Sequence, residues 1–154
     1  MDETEYRQTY RAVNDRRCVF EKAINARRCT CRLSQRFNLA DREGVSCSSE
    51  PGSNSCKQLL ELLRKNASFA LQMTRVPGPL PHAKEVKVQI GGMLGLQKLL
   101  QPQLHDAELV HDIYGLTEMA KQQFGSLDNL PYSEIVKSIV IFEGRPRRRS
   151  RKDK

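Results

Sequence analysis

The sequence predicts an all-α protein: a compact bundle of about five helices with a cysteine-rich loop region and a disordered basic C-terminal tail. Three observations carry that expectation. Apolar residues recur at helical spacing in segment after segment. Only one stretch alternates like a strand, and it has no convincing partner nearby. The chain has 154 residues, 38% of them hydrophobic, which is long enough to bury one core without disulfide staples. The expected division is a single helical metal-binding domain over 1–143, with its Cys-rich region at 18–56, and a basic flexible tail over 144–154.

From about Glu3 to Ala26, Tyr6, Tyr10, Val13, Phe20 and Ile24 fall on one side of a helix. Cys18 projects roughly 120° from the centre of that stripe by the same geometry, which points to a partner other than the core on that flank. Leu33 to Leu39 reads as a short helix, followed by the turn-prone Asp41-Arg42-Glu43-Gly44. Ser48 to Asn54 is a loop by composition. Ser55 with Gln58 then forms a capping-box pattern, placing Cys56 in the first turn of a helix that runs to about Met73.

That helix carries Leu59, Leu62, Leu63, Ala70 and Met73 on one face, as a central core helix does. Three prolines and a glycine between Arg75 and Pro81 break it. Val86, Val88 and Ile90 alternate, yet Met93, Leu94, Leu96, Leu99 and Leu100 continue at helical spacing, so one helix from about His82 to Leu100 is expected. Gly91, Gly92 and Gly95 inside it cost about 1 kcal/mol each relative to Ala, so they are expected to admit the close approach of a helix or a cofactor. A further helix from about Asp106 to Phe124 ends at Gly125-Ser126, and a last one begins near Pro131.

The formal charge of +8 is unevenly placed. Seven basic residues against Asp153 put +6 between Gly144 and Lys154, which leaves +2 for residues 1–143. The tail Arg145–Lys154 can contact nucleic-acid phosphates or an acidic partner, but no aromatic residues are interleaved to stack on bases. No apolar run approaches the ~20 residues that span a bilayer, so no membrane association is expected. The N-terminus shows no apolar secretory h-region, and a cytoplasmic, reducing location is expected.

All five cysteines, Cys18, Cys29, Cys31, Cys47 and Cys56, fall in one third of the chain. In a reducing compartment clustered thiols hold metal or do redox chemistry more often than they form disulfides, and an odd count fits a paired framework poorly. Iron–sulfur clusters take four thiolates, because each iron needs a soft anionic donor. The five cysteines therefore form a ligand pool for a [4Fe–4S] cluster, with four of the five expected to bind. Arg17, Arg27, Arg28, Arg32 and Arg36 lie close in sequence to offset its charge, and a helix N-terminus at Cys56 would stabilise a thiolate. Zinc is the alternative cofactor, although the usual paired two-residue spacing is missing.

His82, His105 and His111 form no two-His metal pattern; His82 alone, fixed behind Pro81, merits attention as a ligand that folding brings in. Ile90 to Gly95 lacks both the dinucleotide fingerprint and the P-loop Gly-Lys-Ser/Thr. Neither a Ser/His/Asp set nor a carboxylate pair stands out, so the reading leans away from an enzyme. The expected function is electron transfer or redox sensing by a small iron–sulfur protein, with a redox partner protein or an acidic protein surface as partner. A zinc-stabilised adaptor and a nucleic-acid-binding regulator using the basic tail are the alternatives, and a homodimer sharing a cluster is compatible with the sequence.

Overall fold

The computed structural model describes residues 2–73 and 79–143. The basic tail at 144–154, expected to be disordered, and the stretch 74–78 of the proline-rich connector lie outside the described residues. The described residues form six helices, five of them longer than seven residues, and one antiparallel two-stranded sheet. The fold is therefore mostly helical rather than all-α. Among the described residues no helix is long and apolar enough to cross a membrane.

Helix α1, Glu3–Val13, starts where the Asp2 carboxylate accepts the Glu5 N–H at 2.7 Å, satisfying a donor that the first helical turn leaves unpaired. The single helix expected from Glu3 to Ala26 does not form. Helix α1 stops at Asn14, and α2 occupies only Glu21–Asn25. The cause is tertiary: the intervening backbone bonds to another strand instead of to itself. The Cys18 N–H donates to the Val45 carbonyl at 2.9 Å, and the Cys47 N–H to the Arg16 carbonyl at 2.8 Å. The Asn14 side-chain amide holds the break, donating to the Tyr10 hydroxyl at 2.8 Å and the Val45 carbonyl at 3.1 Å.

The strand receiving these bonds is β2, Arg42–Cys47, paired antiparallel with β1, Ser34–Leu39. Of the short helix expected over Leu33 to Leu39, Ser34–Leu39 is thus a strand and Leu33 lies in the turn before it. The chain reverses at Ala40 and Asp41, with Ala40 at φ +55°, and the Phe37 ring lies across Gly44, its cross-strand neighbour. A Cβ on Gly44 would stand 2.3 Å from that ring, so only glycine fits beneath it.

Helix α3, Glu50–Ala70, begins six residues before the start expected from a cap at Ser55. The Ser49 hydroxyl caps it by accepting the Gly52 N–H at 3.1 Å, and Pro51 sits in the first turn, where its missing N–H does no harm. Helix α4, His82–Leu100, is central and buries Val88, Ile90, Met93 and Leu96. A Cβ on Gly91 would lie 2.8 Å from Ile139 Cα, and one on Gly95 2.9 Å from the Ile135 carbonyl oxygen. These glycines therefore let α4 press onto the backbone of α6, Tyr132–Ile141, while Gly92 meets the Leu63 side chain of α3. Their close approach is to helices, not to a cofactor.

The helix expected over Asp106 to Phe124 is shorter. Pro102–Leu104 forms a 3₁₀ turn, and α5 spans Ile113–Phe124. The residues before α5 pair with the cysteine-rich segment instead: the Val110 N–H donates to the Arg28 carbonyl at 2.8 Å, and the Thr30 N–H to the Val110 carbonyl at 2.9 Å. The start of α5 is thereby fixed against the cysteine region.

A buried ion pair ties the helices together. Glu85, on α4, accepts from Arg64 on α3 at 2.6 Å, from the Gln89 amide at 3.0 Å and from the Leu80 N–H at 3.0 Å. Gln89 in turn accepts the Ala23 N–H of α2 at 3.1 Å. With its polar atoms bonded in this way, a carboxylate can be tolerated in the core.

Candidate metal centre

Four of the five cysteines line one small cavity: Cys18, Cys31, Cys47 and Cys56. They come from four separate pieces of chain, and the secondary structure explains how each arrives. Ser34 pairs with Cys47 at the open end of the hairpin, and Ser34 also folds back on Cys31, its hydroxyl and N–H donating to the Cys31 carbonyl at 2.7 and 3.1 Å. Cys31 and Cys47 are thus held at the same end. The bonds that clip residues 16–18 to β2 bring Cys18 alongside. Cys56 follows because α3 is capped at Ser49, immediately after β2.

The cavity is about 20 Å³, room for roughly one water. Phe20, Leu33, Ile113 and Tyr114 complete most of its wall, so the thiols face an apolar space. Polar groups enter it selectively. The Phe20 N–H bonds to the Cys18 sulfur, and the N–H groups of Leu33 and Tyr114 bond to that of Cys31. The Cys47 thiol donates to the Ser49 carbonyl at 3.3 Å. Ser53 also lines the cavity; it is 3% exposed, and its hydroxyl has no hydrogen-bond partner.

Burial pushes the Cys18 and Cys56 thiols up to about 12. Neighbouring thiols add to this: Cys31 and Cys47 raise Cys18, and Cys18, Cys31 and Cys47 raise Cys56. The Phe20 N–H opposes the shift at Cys18, and the Lys121 ammonium opposes it at Cys56. Cys31 is raised as well, by burial first, against the bonds from Leu33 and Tyr114. Without metal these three are neutral thiols at neutral pH. All five cysteines are free of disulfides.

Cys29 is elsewhere. It is 2% exposed, belongs to the apolar core and sits on the bridge to Val110. Burial pushes its thiol up to about 12, opposed by Arg28. Cys56 lies in the second turn of α3, not the first, so the helix N-terminus does not act on it directly.

The five arginines near the cysteines in sequence are engaged with other partners. Arg17 pairs with Glu21 at 2.6 Å, Arg27 and Arg36 with Glu43 at 2.7 and 3.1 Å, and Arg32 with Asp112 at 2.6 Å. Arg28 donates to the Glu108 carbonyl and stacks over Phe142. The cation felt at Cys56 is instead Lys121 of α5, which bonds to the Ser55 hydroxyl; sixty-odd residues of sequence separate the two, and no local pattern marks the pair. His82 meets Lys22 at 3.0 Å and does not line the thiol cavity.

Among the described residues no group of three or more His, Cys, Asp or Glu side chains is arranged to hold a metal ion. No protein-family model, no curated protein and no solved structure matches the chain.

Proposed function

We propose that the chain is a small iron–sulfur protein in which Cys18, Cys31, Cys47 and Cys56 hold one [4Fe–4S] cluster for electron transfer or redox sensing. The observation that carries this reading is the convergence of four thiols from four chain segments on one apolar cavity. Four is the number a cubane needs, one thiolate per iron. Three backbone N–H groups already aimed at two of the sulfurs add support, because hydrogen bonds to sulfur stabilise the negative charge of a thiolate-bound cluster. The buried Ser53 hydroxyl, with no acceptor of its own, adds a fourth donor within the same space.

Structural zinc is the alternative, since four thiolates also complete a tetrahedral zinc site. A tetrahedral Zn with bonds near 2.3 Å draws its thiolates to roughly 3.8 Å from one another. A cubane spaces its four ligands more widely, since each binds a different iron. A [4Fe–4S] cluster would need more room than the cavity's 20 Å³, and thiols must give up their protons to bind metal.

When bound, the cluster supplies one-electron chemistry. The chain supplies the rest. Phe20, Leu33, Ile113 and Tyr114 exclude water, and the amides of residues 20, 33 and 114 orient the sulfurs. Single Cys→Ala variants test the assignment through bound iron and sulfide. Loss is expected at positions 18, 31, 47 and 56, and retention at 29. Iron retained by any of the first four removes that residue from the ligand set, and loss at 29 puts the fifth cysteine in its place.

A further inference from the structure

Cys18 and Val19 line two spaces at once. One is the thiol cavity; the other is an open cleft of about 460 Å³. The cleft reaches the side of Cys18 and is bordered by Arg17, Lys22, Lys57 and Arg64, with Glu21 and Glu85 as its acidic residues.

The two carboxylates are fully engaged. Glu21 accepts from Arg17 at 2.6 Å, from the Val45 N–H at 2.8 Å and from the Tyr10 hydroxyl. Glu85 accepts from Arg64, Gln89 and the Leu80 N–H. Those bonds neutralise Arg17 and Arg64 in place. Lys22 and Lys57 are left as uncompensated cations: Lys22 meets the His82 ring nitrogen at 3.0 Å, and Lys57 has no hydrogen-bond or ion-pair partner among the described residues. The mouth beside Cys18 is therefore positive, although the chain over residues 1–143 is nearly balanced.

Resting on the iron–sulfur reading above, we infer that this cleft is the docking surface for an acidic electron-transfer protein, with Cys18 as the ligand next to the partner. Charge complementarity selects the occupant. Acidic side chains entering the cleft meet Lys22 and Lys57 at its border, and the partner's redox centre is brought toward a cluster ligand rather than toward the capped side under Ile113 and Tyr114. One electron passes between the two centres; no atom or proton is transferred. Attraction of this kind acts mainly on the encounter rate, by about 10- to 1,000-fold at low salt, and falls as salt screens it.

The test compares two forms of one oxidant, native cytochrome c, which is basic, and succinylated cytochrome c, which is acidic. Each is mixed in stopped flow with reduced, cluster-loaded protein at low and high ionic strength. The wild type is expected to reduce the acidic form about tenfold faster at low salt, with the preference shrinking as salt rises. In Lys22→Glu plus Lys57→Glu the preference is lost or inverted. Lys98→Glu plus Lys137→Glu lowers the net charge equally, but Lys98 lies about 20 Å along α4 from Glu85 by helical rise, and this pair keeps the preference. Equal rates for the two oxidants in the wild type overturn the inference, as does an equal loss in both double variants. Failure of the cluster itself reads differently: no iron and sulfide are bound, and neither oxidant is reduced.

Discussion

Ser53 and Cys56 stand three residues apart on one face of α3 and line the same cavity, where the Ser53 hydroxyl is buried without a hydrogen-bond partner. An i, i+3 pair shares a helix face, so the hydroxyl and the thiol address the same occupant. A buried unsatisfied hydroxyl costs the metal-free protein about 1–3 kcal/mol. On the proposed iron–sulfur reading, a bound cluster would offer the hydroxyl a sulfur acceptor. Ser53→Ala is therefore expected to raise the stability of the metal-free protein by about 1 kcal/mol. In the loaded protein it shifts the reduction potential to more negative values, because a donor that favours the reduced, more negative cluster is gone. Iron content stays unchanged. Denaturant melts of the metal-free form and a redox titration of the loaded form check the two halves; a potential equal to the wild type means that Ser53 does not touch the cluster.

Cys29 is expected to behave as a core residue. Cys29→Ala lowers stability by about 1 kcal/mol, the scale of one buried methylene and the void it leaves, while keeping iron and sulfide. A urea melt and metal analysis on the same preparation measure both.

Gly91 sets two effects against each other. Alanine is worth about 1 kcal/mol more than glycine inside a helix, yet its Cβ would lie 2.8 Å from Ile139 Cα. Backbone cannot rotate away as a side chain can, and overpacking of this kind costs about 1–3 kcal/mol. Gly91→Ala is expected to destabilise the protein, by about 1 kcal/mol net. An upward shift of the melting temperature would show that α6 yields to the added methyl group.

Glu85 gives the protein an acid-side limit. Burial raises its carboxyl, but the bonds from Arg64, Gln89 and the Leu80 N–H outweigh that and hold it below the ordinary 4.5. A carboxyl depressed on folding stabilises the native state above its unfolded value and loses that contribution as pH falls through the folded value. The stabilisation is thus full above about pH 4.5 and declines below it. Glu85→Gln leaves Arg64 with Glu61 at 3.6 Å as its remaining acidic neighbour, so the loss at pH 7 is expected near the low end for a broken buried pair, about 3 kcal/mol. The gap between variant and wild type should narrow below pH 4.5. Urea melts from pH 7 down to pH 3 follow it, and a constant gap across that range would place the depression on another group.

The helices at His82–Leu100 and from Pro131 onward were legible because their apolar periodicity is long and their packing uses it directly. The split of the first helix was not. Asn14, Arg16 and Cys18 form bonds to residues 45 and 47, and nothing within the first twenty-six residues encodes a partner so far along the chain. The same strand captured Ser34 to Leu39, whose β character rests on the Phe37–Gly44 pair across the hairpin. The cysteine pool was visible as clustering. Which thiols share a cavity depends on the clip of residues 16–18 to β2 and on the start of α3, and the action of Lys121 rather than the nearby arginines on Cys56 depends on where α5 lands; these are tertiary facts without a local signature.

The most direct test of the central claim is a visible absorption spectrum, with iron, acid-labile sulfide and zinc analysis, on protein purified without oxygen. A broad charge-transfer band with iron and sulfide in equal amounts is expected, disappearing when the cluster is stripped with a chelator and oxidant. A colourless protein with stoichiometric zinc, or one without bound metal after anaerobic loading with iron and sulfide, would contradict the assignment of Cys18, Cys31, Cys47 and Cys56 to an iron–sulfur cluster.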